Sequence, residues 1–132
     1  MNKRDIAKLY HYKARVLRVV DGDTIDVQID LGFGMTFAEK PLADPVKGTR
    51  IRLHGIDAPE SRTRNLTEKK KGLATKTWLT KRIEGTDVVL KTVKDGKGKY
   101  GRILGVVILR GRNVNKEMVR KGLAKEYFGG TK

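Results

Sequence analysis

Acidic residues are scarce in this chain, fifteen Asp and Glu against thirty Lys and Arg, so the places where they gather stand out. Asp21-Gly22-Asp23-Thr24 opens an alternating run, and Asp57-Ala58-Pro59-Glu60 closes another. Asp23 shares the parity of Ile25 and Val27, and Asp57 that of Ile51 and Leu53, so both carboxylates are expected at strand ends on the inward side. If those ends meet, Asp23, Asp57 and Glu60 form a convergent acidic cluster. Like charges brought together repel, so the cluster needs a cation or neighbouring arginines. Carboxylates with water are the ligands of a hard ion such as Ca2+ or Mg2+. Each string also has a plainer reading, since Asp-Gly-Asp is a common turn and Asp-Ala-Pro-Glu can cap a loop.

Two arginines fall beside these strings. Arg52 precedes Asp57 on the same run, and Arg102 follows Lys99-Tyr100-Gly101 at the entry to an apolar segment. A guanidinium grips phosphate oxygens with two N–H groups and stays charged at any working pH. Two of them would stabilise the charge that a phosphodiester gains in its transition state. Any single arginine among thirty basic residues is otherwise a solvated surface charge.

Composition narrows the chemistry further. The chain of 132 residues carries +15, an excess that attracts polyanions. The same charge would also suit mere solubility or a ribosome-associated protein, and it does not separate binding from cutting. No cysteine is present and only His11 and His54 are available, which excludes disulfides, thiolate metal sites and a cysteine nucleophile. The hydrophobic fraction of 38% favours a folded domain. No apolar run approaches the ~20 residues of a membrane span, and the charged Met1–Lys8 segment is unlike a signal peptide. A cytoplasmic monomer is the expectation.

The elements that must position these groups read as follows. Residues 1–11 form a basic lead-in, 12–128 a single domain and 129–132 a tail. Ala14, Val16 and Val20 share one parity, and Ile25, Val27, Ile29 and Leu31 alternate strictly with polar residues, which predicts a hairpin turning at Asp21-Gly22. Residues 32–49, with Pro41 and Pro45, read as an irregular insertion that includes a short strand near Met35–Ala38. Arg50 to Ile56 is a third strand. Between Leu66 and Ile83 the period becomes helical, with Leu66, Leu73, Ala74, Trp78 and Ile83 on one face. Asp87 to Val93 and the apolar Ile103 to Leu109 are further strands. Asn113 to Lys121 is a short helix with Asn113 as its cap and Gly122 beyond it. Three strands, a helix and two strands suit an α+β, mainly β chain, a five-stranded OB-fold barrel with flanking helices.

Gly96-Lys97-Gly98-Lys99-Tyr100-Gly101 matches Gly-x-Gly-x-x-Gly, but it joins two strands and opens no helix, so it is no dinucleotide fingerprint.

Val20-Asp21-Gly22-Asp23-Thr24, Arg52-Leu53-His54-Gly55-Ile56-Asp57-Ala58-Pro59-Glu60, Lys99-Tyr100-Gly101-Arg102 and Val119-Arg120-Lys121-Gly122-Leu123-Ala124 together resemble the staphylococcal nuclease (thermonuclease) family in order and spacing. The resemblance spans about Ala14 to Tyr127. It implies a Ca2+-dependent, sugar-nonspecific nuclease that hydrolyses DNA and RNA to 3′-phosphate products, with Mg2+ as an alternative ion. It assigns Asp23, Asp57 and the backbone carbonyl of Ala58 to the metal. Arg52 and Arg102 become the catalytic pair, Glu60 the residue that activates or orients water, and Asp21 an outer support. Lys99, Tyr100 and Tyr127 match substrate contacts. Arg62 and Arg64, with Lys69-Lys70-Lys71, would lie beside the site and either track the nucleic-acid backbone or form a solvated face. Ala58 departs from the family's usual threonine, a change that a main-chain ligand survives. The rival expectation is an OB-like domain that binds nucleic acid without cutting it, which would have no need of a convergent acidic cluster.

Overall fold

Strand β1 (His11–Asp21) and strand β2 (Thr24–Gly32) form the expected hairpin, antiparallel with Ala14 opposite Ile29 and Val16 opposite Val27. The alternation slips between Val16 and Arg18, where β1 carries an irregularity. Val19, not Val20, therefore takes the inward place opposite Ile25. A bulge shifts the parity of everything after it, and a strict period of two cannot anticipate that.

The computed structural model describes residues 1–37, 40–41, 47–94 and 103–128. Within the lead-in, helix α1 (Lys3–Lys8) is capped by the Asn2 side chain, which accepts the Asp5 N–H, and it buries nothing. After β2 come β3 (Met35–Phe37), β4 (Lys40–Pro41) and β5 (Lys47–Leu53), so the predicted irregular insertion contains more strand than expected. Then follow β6 (Ile56–Asp57), helix α2 (Leu66–Ile83), β7 (Asp87–Val93), β8 (Ile103–Leu109) and β9 (Arg112–Asn113). Helix α3 (Val114–Arg120) and β10 (Lys125–Glu126) complete the order. Asn113 caps α3 by accepting the Lys116 N–H, as its position predicts.

The strands run β3-β2-β1-β7-β8-β5-β4, and β2 also pairs with β5. That extra pairing closes β1, β2, β5, β8 and β7 into a ring of five strands, the arrangement expected of an OB-like fold. All neighbours in the ring are antiparallel except β5 and β8. Ile25, Val27, Ile51, Leu53, Leu90 and Val107 fill its interior. Leu79 and Ile83 of α2 and Val114 and Met118 of α3 are buried with them in one core.

The face that α2 buries agrees with the predicted one at Ile83, with Trp78 packed against the core, and departs from it in the first half of the helix. Leu66 and Leu73 are exposed, and the buried residues are Gly72, Thr75, Leu79 and Ile83. Gly72 explains the difference. A Cβ there would stand 2.5 Å from the carbonyl of Glu60 and 2.7 Å from that of Pro59. The first half of α2 lies so close to the chain that only a small residue can face it. In that half the larger apolar residues, Leu66 and Leu73, consequently point to solvent.

The predicted third strand also divides in two. His54 and Gly55 separate β5 from β6, with Gly55 at φ +82°, a left-handed conformation that favours glycine. After this turn β6 leaves β5 and pairs with β10, Asp57 opposite Lys125 and Ile56 opposite Glu126. No helix among the described residues is long and apolar enough to cross a membrane.

Candidate active site

Closure of the ring determines where the catalytic candidates meet. Because β2 pairs with β5, Thr24 stands opposite Arg52, and the Leu53 N–H donates to the carbonyl of Asp23 at 2.8 Å. Arg52 thus emerges beside the start of β2. Its Nη1 lies 3.1 Å from Asp23 Oδ2, and its Nη2 donates to Asp57 Oδ1 at 3.4 Å. The Arg52 and Asp23 side chains are 15% exposed and that of Asp57 27%. One guanidinium therefore spans two carboxylates in a recess that water reaches only in part, where charge interactions are stronger than on an open surface.

Asp23 is held in place from the main chain as well as by Arg52. Asp23 Oδ2 accepts the Ala58 N–H at 3.1 Å, and Asp23 Oδ1 accepts the Thr24 hydroxyl at 3.1 Å. The turn at His54-Gly55 that carries Asp57 toward Arg52 is braced by Asn115, which is buried. Its Nδ2 donates to the carbonyls of His54 (2.9 Å) and Gly105 (3.1 Å), and its Oδ1 accepts the Val107 N–H at 3.1 Å. The His54 N–H donates in turn to Gly105. Asn115 thereby ties α3, β8 and the turn together.

Glu60 stands apart from this pair. Its carboxylate is exposed and makes no hydrogen bond or ion pair among the described residues, while its N–H lies 3.5 Å from Glu68 Oε1. The expected convergence of three carboxylates is here a pair, Asp23 and Asp57, with Glu60 at the rim on the loop that Gly72 supports. No three His, Cys, Asp or Glu side chains among the described residues stand close enough to hold a metal ion. Asp21 supports the loop from beneath. Its Oδ1 accepts the hydroxyl of buried Ser61 at 2.8 Å and the Gly22 N–H at 2.9 Å. Arg62 and Arg64 are exposed beyond it. Tyr127 is half-buried, and its N–H donates to the Gly55 carbonyl at 2.9 Å, in the turn between β5 and β6. Lys99, Tyr100 and Arg102 lie outside the described residues.

Several supporting residues escape a reading by motif. Gly22 packs against Thr75 and Ala58, where a Cβ would come within 2.8 and 2.9 Å, and this seats α2 against the Asp21–Asp23 turn. A glycine inside a lysine-rich helical run, as at Gly72, is a usable signal of close approach. The most buried charge in the ring is also outside the motifs. Asp26 is 1% exposed, and Arg18 and Arg50 hold it from the strands on either side. Arg18 Nη2 and Nε donate to Oδ2 at 2.8 and 3.2 Å, and Arg50 Nε and Nη2 donate to Oδ1 and Oδ2 at 2.9 and 3.3 Å. Burial pushes the Asp26 carboxyl up, but the hydrogen bonds from Arg50 and Arg18 outweigh it and hold the group below the usual carboxylate range. The Asp26 hydrogen bond raises Arg50 against the opposing effect of burial.

The profile of the family described as "Staphylococcal nuclease homologue" matches residues 50–132. An "Uncharacterized endonuclease" of Escherichia coli is 38% identical over 117 residues, which cover 86% of this chain and 60% of that protein. The "Thermonuclease" of Staphylococcus intermedius is 31% identical over 113 residues, 86% of this chain and 58% of the relative. "Endonuclease YhcR" of Bacillus subtilis is 37% identical over 128 residues, 89% of this chain but 9% of that much longer protein. The chain thus spans less than two thirds of the length of each of these relatives.

Proposed function

The chain belongs to the staphylococcal nuclease family, and from that premise we propose that it is a nuclease whose reaction depends on a divalent cation. The ion is Ca2+, with Mg2+ as the alternative, and the substrates are DNA and RNA, cut to 3′-phosphate products. The observation that carries this reading is the span of Arg52 across Asp23 and Asp57.

The donors suit a hard cation. Asp23 and Asp57 are oxygen ligands near enough to share one guanidinium, and the Ala58 carbonyl would complete the protein's share of the coordination. An ion held there supplies Lewis-acid polarisation of a phosphoryl oxygen. Arg52 binds the phosphodiester and offsets the charge that builds on its equatorial oxygens. Because its side chain is already tied to Asp23, little reorganisation is needed at the moment of reaction. Glu60, exposed at the rim, orients the attacking water and accepts its proton. Arg102 serves as the second phosphate-binding arginine and aids departure of the 5′ oxygen. Lys99, Tyr100 and Tyr127 contact substrate, and Arg62 and Arg64 follow its backbone away from the site. Asp21 acts only through Ser61 and the loop that bears Glu60.

A domain that only binds nucleic acid would gain nothing from Asp23 and Asp57, two carboxylates that repel phosphate beside Arg52, whose side chain is 15% exposed. The test is digestion of single-stranded and double-stranded DNA and of RNA with Ca2+, Mg2+ or chelator, alongside Arg52→Ala and Glu60→Ala. Cation-dependent cleavage lost in both variants supports the assignment. Tight binding without cleavage under every condition would overturn it in favour of the binding domain.

A further inference from the structure

The geometry points to a second phosphate subsite, formed by Arg18 and Arg50 on the outer face of the ring and organised by Asp26 between them. It deepens the nucleic-acid reading above, on which it rests, by extending the bound strand beyond the scissile phosphate.

Register places the three residues in one row. Arg18 stands opposite Asp26 across β1 and β2, and Asp26 opposite Arg50 across β2 and β5. The next row along the same face pairs Thr24 with Arg52. Arg50 and Arg52 share a parity on β5, opposite to the buried Ile51 and Leu53. Two residues of strand separate the rows, about 6.6 Å at ~3.3 Å per residue. That step is comparable with the distance from one phosphate to the next along a nucleic-acid strand. A strand anchored at Arg52 would therefore meet the Arg18–Arg50 row at a neighbouring phosphate.

The row is built as a cationic site rather than as a neutral ion pair. One carboxylate, 2% exposed, faces two guanidiniums that are 54% and 48% exposed. Asp26 neutralises one positive charge and leaves one in excess. Each arginine turns Nε and Nη2 to Asp26, and Nη1 of each makes no further bond among the described residues. A buried ion pair is weak evidence for a purely stabilising role, because taking its charges out of water offsets much of their attraction. What Asp26 adds is orientation. It fixes two forks with donors still facing water, the preorganised geometry that suits a phosphate.

The test is binding of a labelled oligothymidine of about 12 nucleotides, within the length that one OB-type fold covers, measured in chelator so that nothing is cut. Arg18→Gln and Arg50→Gln are made singly, so that one arginine always remains on Asp26, and thermal melts check that each variant folds. Arg112→Gln removes the same charge from β9. The expected result is a salt dependence of log K against log salt that is shallower by about 0.7, one single-strand phosphate contact, in each of the first two variants and unchanged in Arg112→Gln. Cleavage of a dinucleotide, too short to reach the row, stays at the parental rate while the KM for long strands rises several-fold. Parental slopes in Arg18→Gln and Arg50→Gln, an equal change in Arg112→Gln, or no binding by the parent would each overturn the subsite. Failure of the nuclease reading appears separately, as a parent that binds but never cuts.

Discussion

The main-chain N–H of Ala58 donates to Asp23 Oδ2 across 3.1 Å, joining two segments that are 35 residues apart in sequence. Asp23 is thereby oriented by backbone rather than by a side chain of the neighbouring loop. The Ala58 Cβ instead packs where a Cβ on Gly22 would intrude at 2.9 Å. The position that departs from the family's usual threonine is thus one whose hydrogen bond to the site does not depend on its side chain.

Arg52→Lys should lower kcat/KM by about 10²-fold or more, the usual effect of removing one preorganised donor to developing charge. Lysine keeps the charge but cannot span Asp23 and Asp57 with two nitrogens. Steady-state cleavage of single-stranded DNA at saturating Ca2+ measures this. A change below about threefold would remove Arg52 from the chemistry.

Ca2+ should raise the melting temperature of the parent in proportion to the logarithm of its concentration, as a ligand that binds only the folded state does. Asp23→Asn and Asp57→Asn should each flatten that response, and chelator should abolish parental cleavage. A thermal-shift titration is sufficient, and a parental melt indifferent to the ion would contradict the assignment of those two carboxylates.

Gly72→Ala should impair the site although it improves the intrinsic helix propensity of α2 by ~1 kcal/mol. The new methyl would stand 2.5 Å from the Glu60 carbonyl, and overpacking of this kind costs roughly 1–3 kcal/mol. The expected outcome is a lower melting temperature together with reduced kcat well below the melt. Full activity in a stabilised variant would show that Glu60 does not depend on this contact.

Asn115→Ala should destabilise the fold by roughly 1–3 kcal/mol for the buried groups it leaves unpaired. Those groups are the Val107 N–H and, in part, the carbonyls of His54 and Gly105. Urea unfolding gives the magnitude directly. Residual activity of the folded fraction should also fall, because the turn that carries Asp57 loses its brace.

Acid stability should depend on Asp26. Its folded carboxyl sits below its ordinary value, so its stabilising contribution is present above the unfolded value and lost as pH falls through the folded one. The parent should lose stability more steeply than Asp26→Asn from the ordinary carboxylate range downward. The difference is modest, because Arg18 and Arg50 are about half exposed and solvent screens their charges. Parallel pH profiles for the two proteins would refute it.

Much of the ring was legible because β2 alternates without interruption from Ile25 to Ile29 and because helix and strand periods differ visibly. The slip in β1 was not legible, since a bulge leaves no mark in an apolar run such as Val16-Leu17. The inward face of the first half of α2 is not legible, for a physical reason. Periodicity rewards large apolar residues, whereas close approach to Glu60 requires the smallest, Gly72. Asp23 and Asp57 stand out as acids at strand ends in a basic chain, Arg52 only through the order of motifs, and the structure brings these three together. The Asp26 row could not, because its meaning lies in the register between β1, β2 and β5, which no single segment encodes.

The brace formed by Asn115 has a temporal consequence. The turn at His54-Gly55 is secured by a residue of α3, 61 positions later in the chain, and β5 is joined in parallel to β8, with Ile51 opposite Ile103. Pairings so distant in sequence close slowly and late. The β1–β2 hairpin should therefore form early, and Asp57 should become fixed against Arg52 only once α3 has emerged. Pulse-labelling hydrogen exchange should find the His54 and Val107 amides protected together, and after those of β1 and β2. A site assembled in that order is incomplete until α3 has folded onto the turn.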